Sequence, residues 1–119
     1  MELNKDCIFC KIIKDEIPNE KIYEDDFFKV VMDAFPASEN HMLVIPKSHA
    51  QNLIELEDVY TDKIMTLAKN IVKDMSKEKG IKNFNILQNN GKLAGQTVFH
   101  YHLHIIPRYE NDKITINWI

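Results

Sequence analysis

Apolar and polar positions alternate along Thr97-Val98-Phe99-His100-Tyr101-His102-Leu103-His104-Ile105-Ile106. Successive strand side chains point to opposite faces. The segment therefore predicts a strand with His100, His102 and His104 in a row on one face. Phe99, Tyr101, Leu103 and Ile105 fall on the other, which reads as core. As a helix, the same histidines would spread round two sides. A second period runs from Val59 to Lys79, where Tyr60, Ile64, Leu67, Ala68, Ile71 and Met75 recur at three- and four-residue steps. That spacing predicts a long amphipathic helix, with Asp58 as its cap, Lys73, Lys77 and Lys79 in its last turns, and Gly80 as its stop. Ile8, Phe9, Ile12 and Ile13 fit one face of a short helix over Cys7 to Ile13, and Pro18 breaks any continuation.

Four further strands are expected. Lys21 to Glu24 and Phe27 to Met32 are joined by the acidic turn Glu24-Asp25-Asp26. His41 to Pro46 and Phe84 to Gln88 complete the set, and Pro107 should end pairing after the histidine strand. A hairpin through Asn89–Gly95 would join the last two strands. Strands and helices in mixed order predict an α+β domain, an antiparallel sheet of about five strands with one long and one short helix. No repeat or linker divides residues 1–119, so a single domain is expected.

Composition narrows the class. The apolar fraction of 45% and charged fraction of 28% suit a globular protein with a real core. A net charge of −3 argues against coating a nucleic-acid polymer and leaves a nucleotide-sized ligand open. The polar start Met1-Glu2-Leu3-Asn4-Lys5-Asp6 has no apolar signal core, and no run approaches a membrane span. A cytoplasmic protein without a membrane partner is the expectation.

The histidine row changes the picture most. Three of the chain's five histidines lie within five residues. A plain amphipathic strand would carry Thr, Lys or Glu at such positions. At strand rise His100 and His104 stand about 13 Å apart. One metal cannot hold both, since Zn–N bonds are about 2 Å. The row should divide its labour. Gln88-Asn89-Asn90-Gly91 and Ala94-Gly95-Gln96-Thr97 lead into it with amides and a hydroxyl. Imidazoles that attack or carry protons, beside amides that hold phosphate oxygens, suit a phosphate-ester or phosphoramidate site.

Cys7 and Cys10 form a C-x-x-C. A redox pair would normally open a helix after a strand, and almost no chain precedes this one. A structural zinc needs two more ligands, and His41, His49, His100, His102 and His104 are all available by type. Residue types alone do not choose among them. Asp33, at the end of its strand, is either a turn former or an acceptor for a ribose diol.

His100-Tyr-His102-Leu-His104-Ile-Ile, preceded by Gly95-Gln96-Thr97-Val98, resembles the signature of the histidine-triad (HIT) family. The similarity runs from Ile8 to Trp118 and is nearest the zinc-containing Hint branch. Three fixed histidines with apolar spacers make this a specific signal. The resemblance implies a zinc held by Cys7, Cys10, His49 and His100, closed and structural. It implies hydrolysis of nucleoside phosphoramidates through a nucleotidyl-histidine, with His102 as nucleophile. His104 and Gln96 would hold phosphate oxygens. Asn89 and Thr97 would lie near the leaving group, with Thr97 a proton relay. His41 would orient His102, and Asp33 would accept the ribose hydroxyls. Phe9, Ile12, Ile17, Val31 and Met32 would wall a purine. A homodimer built by the long helix and a sheet edge is also implied.

The same lead-in and Pro107-Arg108 are also similar to the Fhit branch, which cleaves dinucleoside polyphosphates. His104, where the nucleotidyl-transferase branch has Gln, disfavours that third branch. Three readings remain distinct: a nucleotidyl hydrolase, a nucleotide-binding regulatory module with incidental hydrolysis, and a zinc protein with a structural role.

Overall fold

Alternation along the strands decides which residues meet. The structure is a computed structural model and describes residues 3–116. Its elements are α1 (Ile8–Ile13), β1 (Lys21–Glu24), β2 (Phe28–Met32), β3 (Met42–Pro46), α2 (Asp58–Lys79), β4 (Phe84–Leu87) and β5 (Leu103–Pro107). The strands form one antiparallel sheet in the order β1-β2-β3-β5-β4. The expected α+β architecture is thus present. Trp118 lies outside the described residues.

Register sorts the sheet into two faces. Val30 pairs with Val44, Val44 with Leu103, and Met42 with Ile105. These side chains share a core with Phe28 and with Ile64, Ala68, Ile71 and Met75 of α2. Val31 pairs with Leu43, and Leu43 with His104. Val31, Leu43 and Ile45 pack on the opposite face against Phe9 and Ile13 of α1. One face therefore holds the stabilising helix. The other carries α1 and the histidines.

Local chemistry sets the boundaries. Asp25 Oδ1 accepts from the amides of Phe27 and Phe28, each at 2.7 Å, which closes the β1–β2 turn. Gly80 ends α2 in the left-handed conformation (φ 68°), its amide donating to the Ser76 carbonyl. At its start, α2 begins at Asp58 itself, with Glu57 in extended conformation before it. Asp58 is thus the first helical residue rather than the cap, and its carboxylate still favours the positive end of the helix.

The histidine strand is shorter than expected. Pairing with β3 starts at Leu103, and residues 98–102 form no ladder. Extending the register would set Tyr101 against Pro46, which has no N–H. The Pro46 carbonyl instead receives His100 Nε2 at 2.9 Å, and the Tyr101 amide donates to the Ala50 carbonyl at 2.7 Å. Tyr101, Leu103 and Ile105 are buried on the α2 side as expected. Phe99 is not in the core: it is 45% exposed, because the chain bends before the strand begins.

Candidate active site and metal group

The three histidines of the row go to two different places. His100 joins Cys7, Cys10 and His49, and His104 joins His41 and Asp33, each group with its ligand atoms within 4.8 Å of one another. His102 lies between them, its ring 4.8 Å from that of His104 and edge-on to Phe9 at 4.8 Å.

Hydrogen bonds fix the protons. The Ala37 amide can only donate, and it donates to His41 Nδ1 at 3.0 Å. That nitrogen is bare, so the His41 proton is on Nε2. Nε2 lies 2.9 Å from His104 Nδ1 and 3.4 Å from Asp33 Oδ2. His104 accepts at Nδ1, so its own proton is on Nε2, as a donor. His102 Nδ1 lies 2.7 Å from the His100 carbonyl and must carry its proton. Its Nε2 therefore holds a free lone pair.

Electrostatics keeps these rings neutral. Burial lowers the pKa of His102, against its bond to the His100 carbonyl and the charge of Asp33. Burial lowers His41 too, opposed by Asp33. For His104 burial, reinforced by His102 and His41, brings the pKa down to about 4. The arrangement is a neutral imidazole with a free lone pair beside a proton-carrying pair. It is not a second metal centre. His41 would have to surrender the Nε2 proton while the Ala37 N–H still faces Nδ1, which leaves an imidazolate.

The Cys7, Cys10, His49 and His100 group does fit a metal. Cys7 Sγ is 3.4 Å from His100 Nδ1, and Cys10 Sγ is 3.5 Å from both His49 Nδ1 and His100 Nδ1. Tetrahedral zinc with Zn–S of about 2.3 Å and Zn–N of about 2.0 Å requires S···N edges of about 3.5 Å. His100 Nε2 is anchored on the Pro46 carbonyl, so Nδ1 offers its lone pair to the group. Burial pushes the Cys10 thiol up to about 11, so a metal would have to displace its proton.

The remaining expected residues divide. Phe9, Ile12 and Val31 belong to one cluster on the α1 face. Ile17 is half-buried, its carbonyl accepting from Asn19 Nδ2. Met32 packs on the α2 side, because it follows Val31 by one residue in the strand. It is therefore separated from the other purine-wall candidates. The Gln96 amide is fully engaged with backbone: Nε2 donates to the carbonyls of Gln51 (2.6 Å), after β3, and Val98 (3.0 Å), and Oε1 accepts from the Gly91 amide. Gln96 thus shapes the loop that presents Thr97. Asn89 Nδ2 reaches the Gly95 carbonyl at 3.4 Å, and Gly95 takes φ 90°, where a side chain would be strained. Thr97 is exposed and lines a cavity of about 390 Å³ together with Cys7, His49 and Phe99.

Sequence reasoning missed Lys29. Its side chain is fully buried, with Nζ donating to the Ile12 carbonyl (2.8 Å) and Asp15 Oδ1 (2.6 Å). A lysine inside Phe27-Phe28-Lys29-Val30-Val31 was the available signal, since lysine is almost never buried unpaired.

A small α+β domain with a neutral histidine chain on one sheet face and a thiol–imidazole group beside it defines a histidine-centred α+β protein. The chain belongs to the HIT family: the HIT domain model matches residues 14–111. An adenosine 5'-monophosphoramidase of Schizosaccharomyces pombe is 45% identical, covering 94% of this chain and 82% of its own length. A HIT family protein structure from Bacillus anthracis superposes with a TM-score of 0.90 at 42% identity, over 97% of this chain and 82% of that one. A Zn-bound histidine triad family protein from Mycobacterium smegmatis matches with a TM-score of 0.85 at 35% identity, over 92% of this chain and 79% of that one.

Proposed function

We propose that the protein is a nucleotide hydrolase that cleaves nucleoside phosphoramidates at the α-phosphorus, with His102 as nucleophile. The observation that carries this reading is the His102 ring. Its Nδ1 proton is fixed on the His100 carbonyl, its Nε2 lone pair is free, and burial keeps it neutral. The activity named for the Schizosaccharomyces pombe relative supports the substrate class.

Bond by bond, His102 Nε2 attacks the α-phosphorus and the P–N bond breaks. The departing amine takes a proton from solvent, relayed through Thr97, beside the 390 Å³ cavity that can accept it. Water then attacks phosphorus and gives up a proton to solvent by the same route, the P–Nε2 bond breaks, and the nucleotide leaves with His102 restored. Two displacements replace one harder step. The His104 Nε2–H donates to a phosphoryl oxygen as charge builds. Asp33 Oδ1 already accepts the Phe35 amide at 2.8 Å, and the carboxylate's remaining lone pairs face the ribose diol. Phe9, Ile12, Ile17 and Val31 wall the base. Cys7, Cys10, His49 and His100 hold a structural zinc, which ties α1 to the sheet. A zinc-bound structural relative and the spacing of the four donors support that assignment.

The test is AMP release from adenosine 5'-phosphoramidate by wild type and His102→Gln. Wild type should turn over, and the variant should lose at least about a thousandfold in kcat. Bound AMP without any wild-type turnover would overturn the reading and direct attention to dinucleoside polyphosphates.

A further inference from the structure

Residues 34–40, between β2 and β3, are gripped from three sides. Ser38 Oγ donates to the carbonyl of Pro107, the last residue of β5, at 2.6 Å. Tyr109 Oη donates to the Glu39 carbonyl at 2.8 Å and receives Asn40 Nδ2 at 3.4 Å. Lys79 Nζ, in the last turn of α2, donates to Asn40 Oδ1 at 2.9 Å. Asn40 itself sits at φ 69°, a left-handed conformation a non-glycine residue keeps only when its surroundings hold it. The clamp is itself stiff. Arg108 donates to both oxygens of Asp112, and Asp112 accepts the Tyr109 amide at 2.7 Å.

What this grip presents is one N–H. The His41 amide donates to the Ser38 carbonyl at 3.2 Å, and the turn so formed aims the Ala37 amide at His41 Nδ1. That bond leaves Nδ1 bare and, together with the Asp33 carboxylate 3.4 Å from Nε2, puts the His41 proton on Nε2, facing His104 and Asp33. Without it, the proton could occupy Nδ1. His41 Nε2 would then present a lone pair to the lone pair of His104 Nδ1, and the pair would have to reorganise.

We propose that this strap is a tautomer lock, in which Ser38, Asn40 and Tyr109 are positioning residues that act through the Ala37 N–H to set where the His41 and His104 protons lie. It rests on the hydrolase reading for its consequence, but not for its geometry. None of the three side chains is hydrogen-bonded to His41, His102 or His104. Their effect belongs on the rate of the chemical step, because the His104 Nε2–H is needed only as charge builds on phosphorus.

The test uses the full chain, ¹⁵N-labelled at histidine, as wild type and as the Ser38→Ala/Tyr109→Phe double variant. Long-range ¹H–¹⁵N correlation separates bare from protonated ring nitrogens. Wild-type His41 should show a single Nε2–H tautomer. The double variant should show a mixture, with kcat for adenosine 5'-phosphoramidate lower by about tenfold and KM changed by less than about twofold. A single unchanged tautomer in the variant overturns the proposal, whatever kcat does. A mixture with unchanged kcat overturns it as well. If the double variant does not fold, Tyr109→Phe alone carries the same readouts. Failure of wild type to turn over would remove the hydrolase reading, while the tautomer measurement would still decide the lock.

Discussion

His104 shows how one side chain's surroundings set a working pH range. Burial, with His102 and His41 close by, moves it from 6.5 to about 4. The folded chain therefore binds fewer protons than the unfolded chain between those values. Its contribution to stability is complete above 6.5 and is lost as pH falls towards 4. Burial lowers His41 and His102 in the same direction. A free imidazole would be about nine-tenths protonated at pH 5.5. His104 therefore stays neutral at pH 5.5, with His41 and His102 shifted the same way, so the acid limb of kcat/KM for the phosphoramidate should lie below pH 6.5. A pH–rate profile whose acid limb is centred at 6.5 would show that the site does not shield its histidines. The histidines themselves are legible in the sequence, because three in alternation have no plain structural use. Their tautomers are not. They depend on the Ala37 amide and the carbonyls of His100 and Pro46, and backbone groups leave no trace in residue type.

Among the elements, α1 has the most to do and the least of its own to do it with. Its six residues are too few to be stable alone. It stays in place through Phe9 and Ile13 in the core, the buried Lys29 ammonium on its Ile12 carbonyl, and the thiol–imidazole group at its start. Its position matters because Phe9 packs on His102. If zinc occupies the group at a hundred times its dissociation constant, it stabilises the fold by about 2.7 kcal/mol. Removing it with a chelator should then lower Tm by about 10 °C and raise KM for nucleotide, while His49→Ala should already show the lowered Tm and respond no further. Identical melting with and without chelator in wild type would remove the structural zinc. Long-period elements were readable: α2 begins one residue earlier than its pattern suggests, and β1, β3 and β4 fall within about a residue of expectation. The histidine strand is shorter than its pattern because alternation reports which face a side chain takes, not backbone pairing. Residues 98–102 keep the alternation on Tyr101 while their hydrogen bonds go to Ala50 and Pro46.

At the scale of the molecule, the sheet separates two jobs, and its free edge suggests a third. The α1 face carries the histidines and a small cluster, and the α2 face the larger core. β4 stands at one edge, with β5 as its only strand partner among the described residues. Between β4 and α2 runs an apolar groove of about 460 Å³, lined by Met65, Thr66, Lys69, Val72, Phe84 and Ile86. Met65 is 53% exposed and Phe84 38%, an arrangement that leaves large apolar side chains and unpaired strand groups in water. A second copy, related by a two-fold axis, would cover both with the same surface. A stable interface of this kind takes about 800 Å² from each partner, more than the groove alone supplies, so the exposed side of α2 must take part. Phe84, on that edge, would lie in such a contact. Phe84→Glu would bring a carboxylate into it on each copy, close to its symmetry mate and short of water. Sedimentation of wild type at micromolar concentration should therefore give a dimer, and Phe84→Glu a monomer that keeps its fold by circular dichroism. A wild-type monomer, or a variant that remains dimeric, would place any second copy elsewhere on the surface.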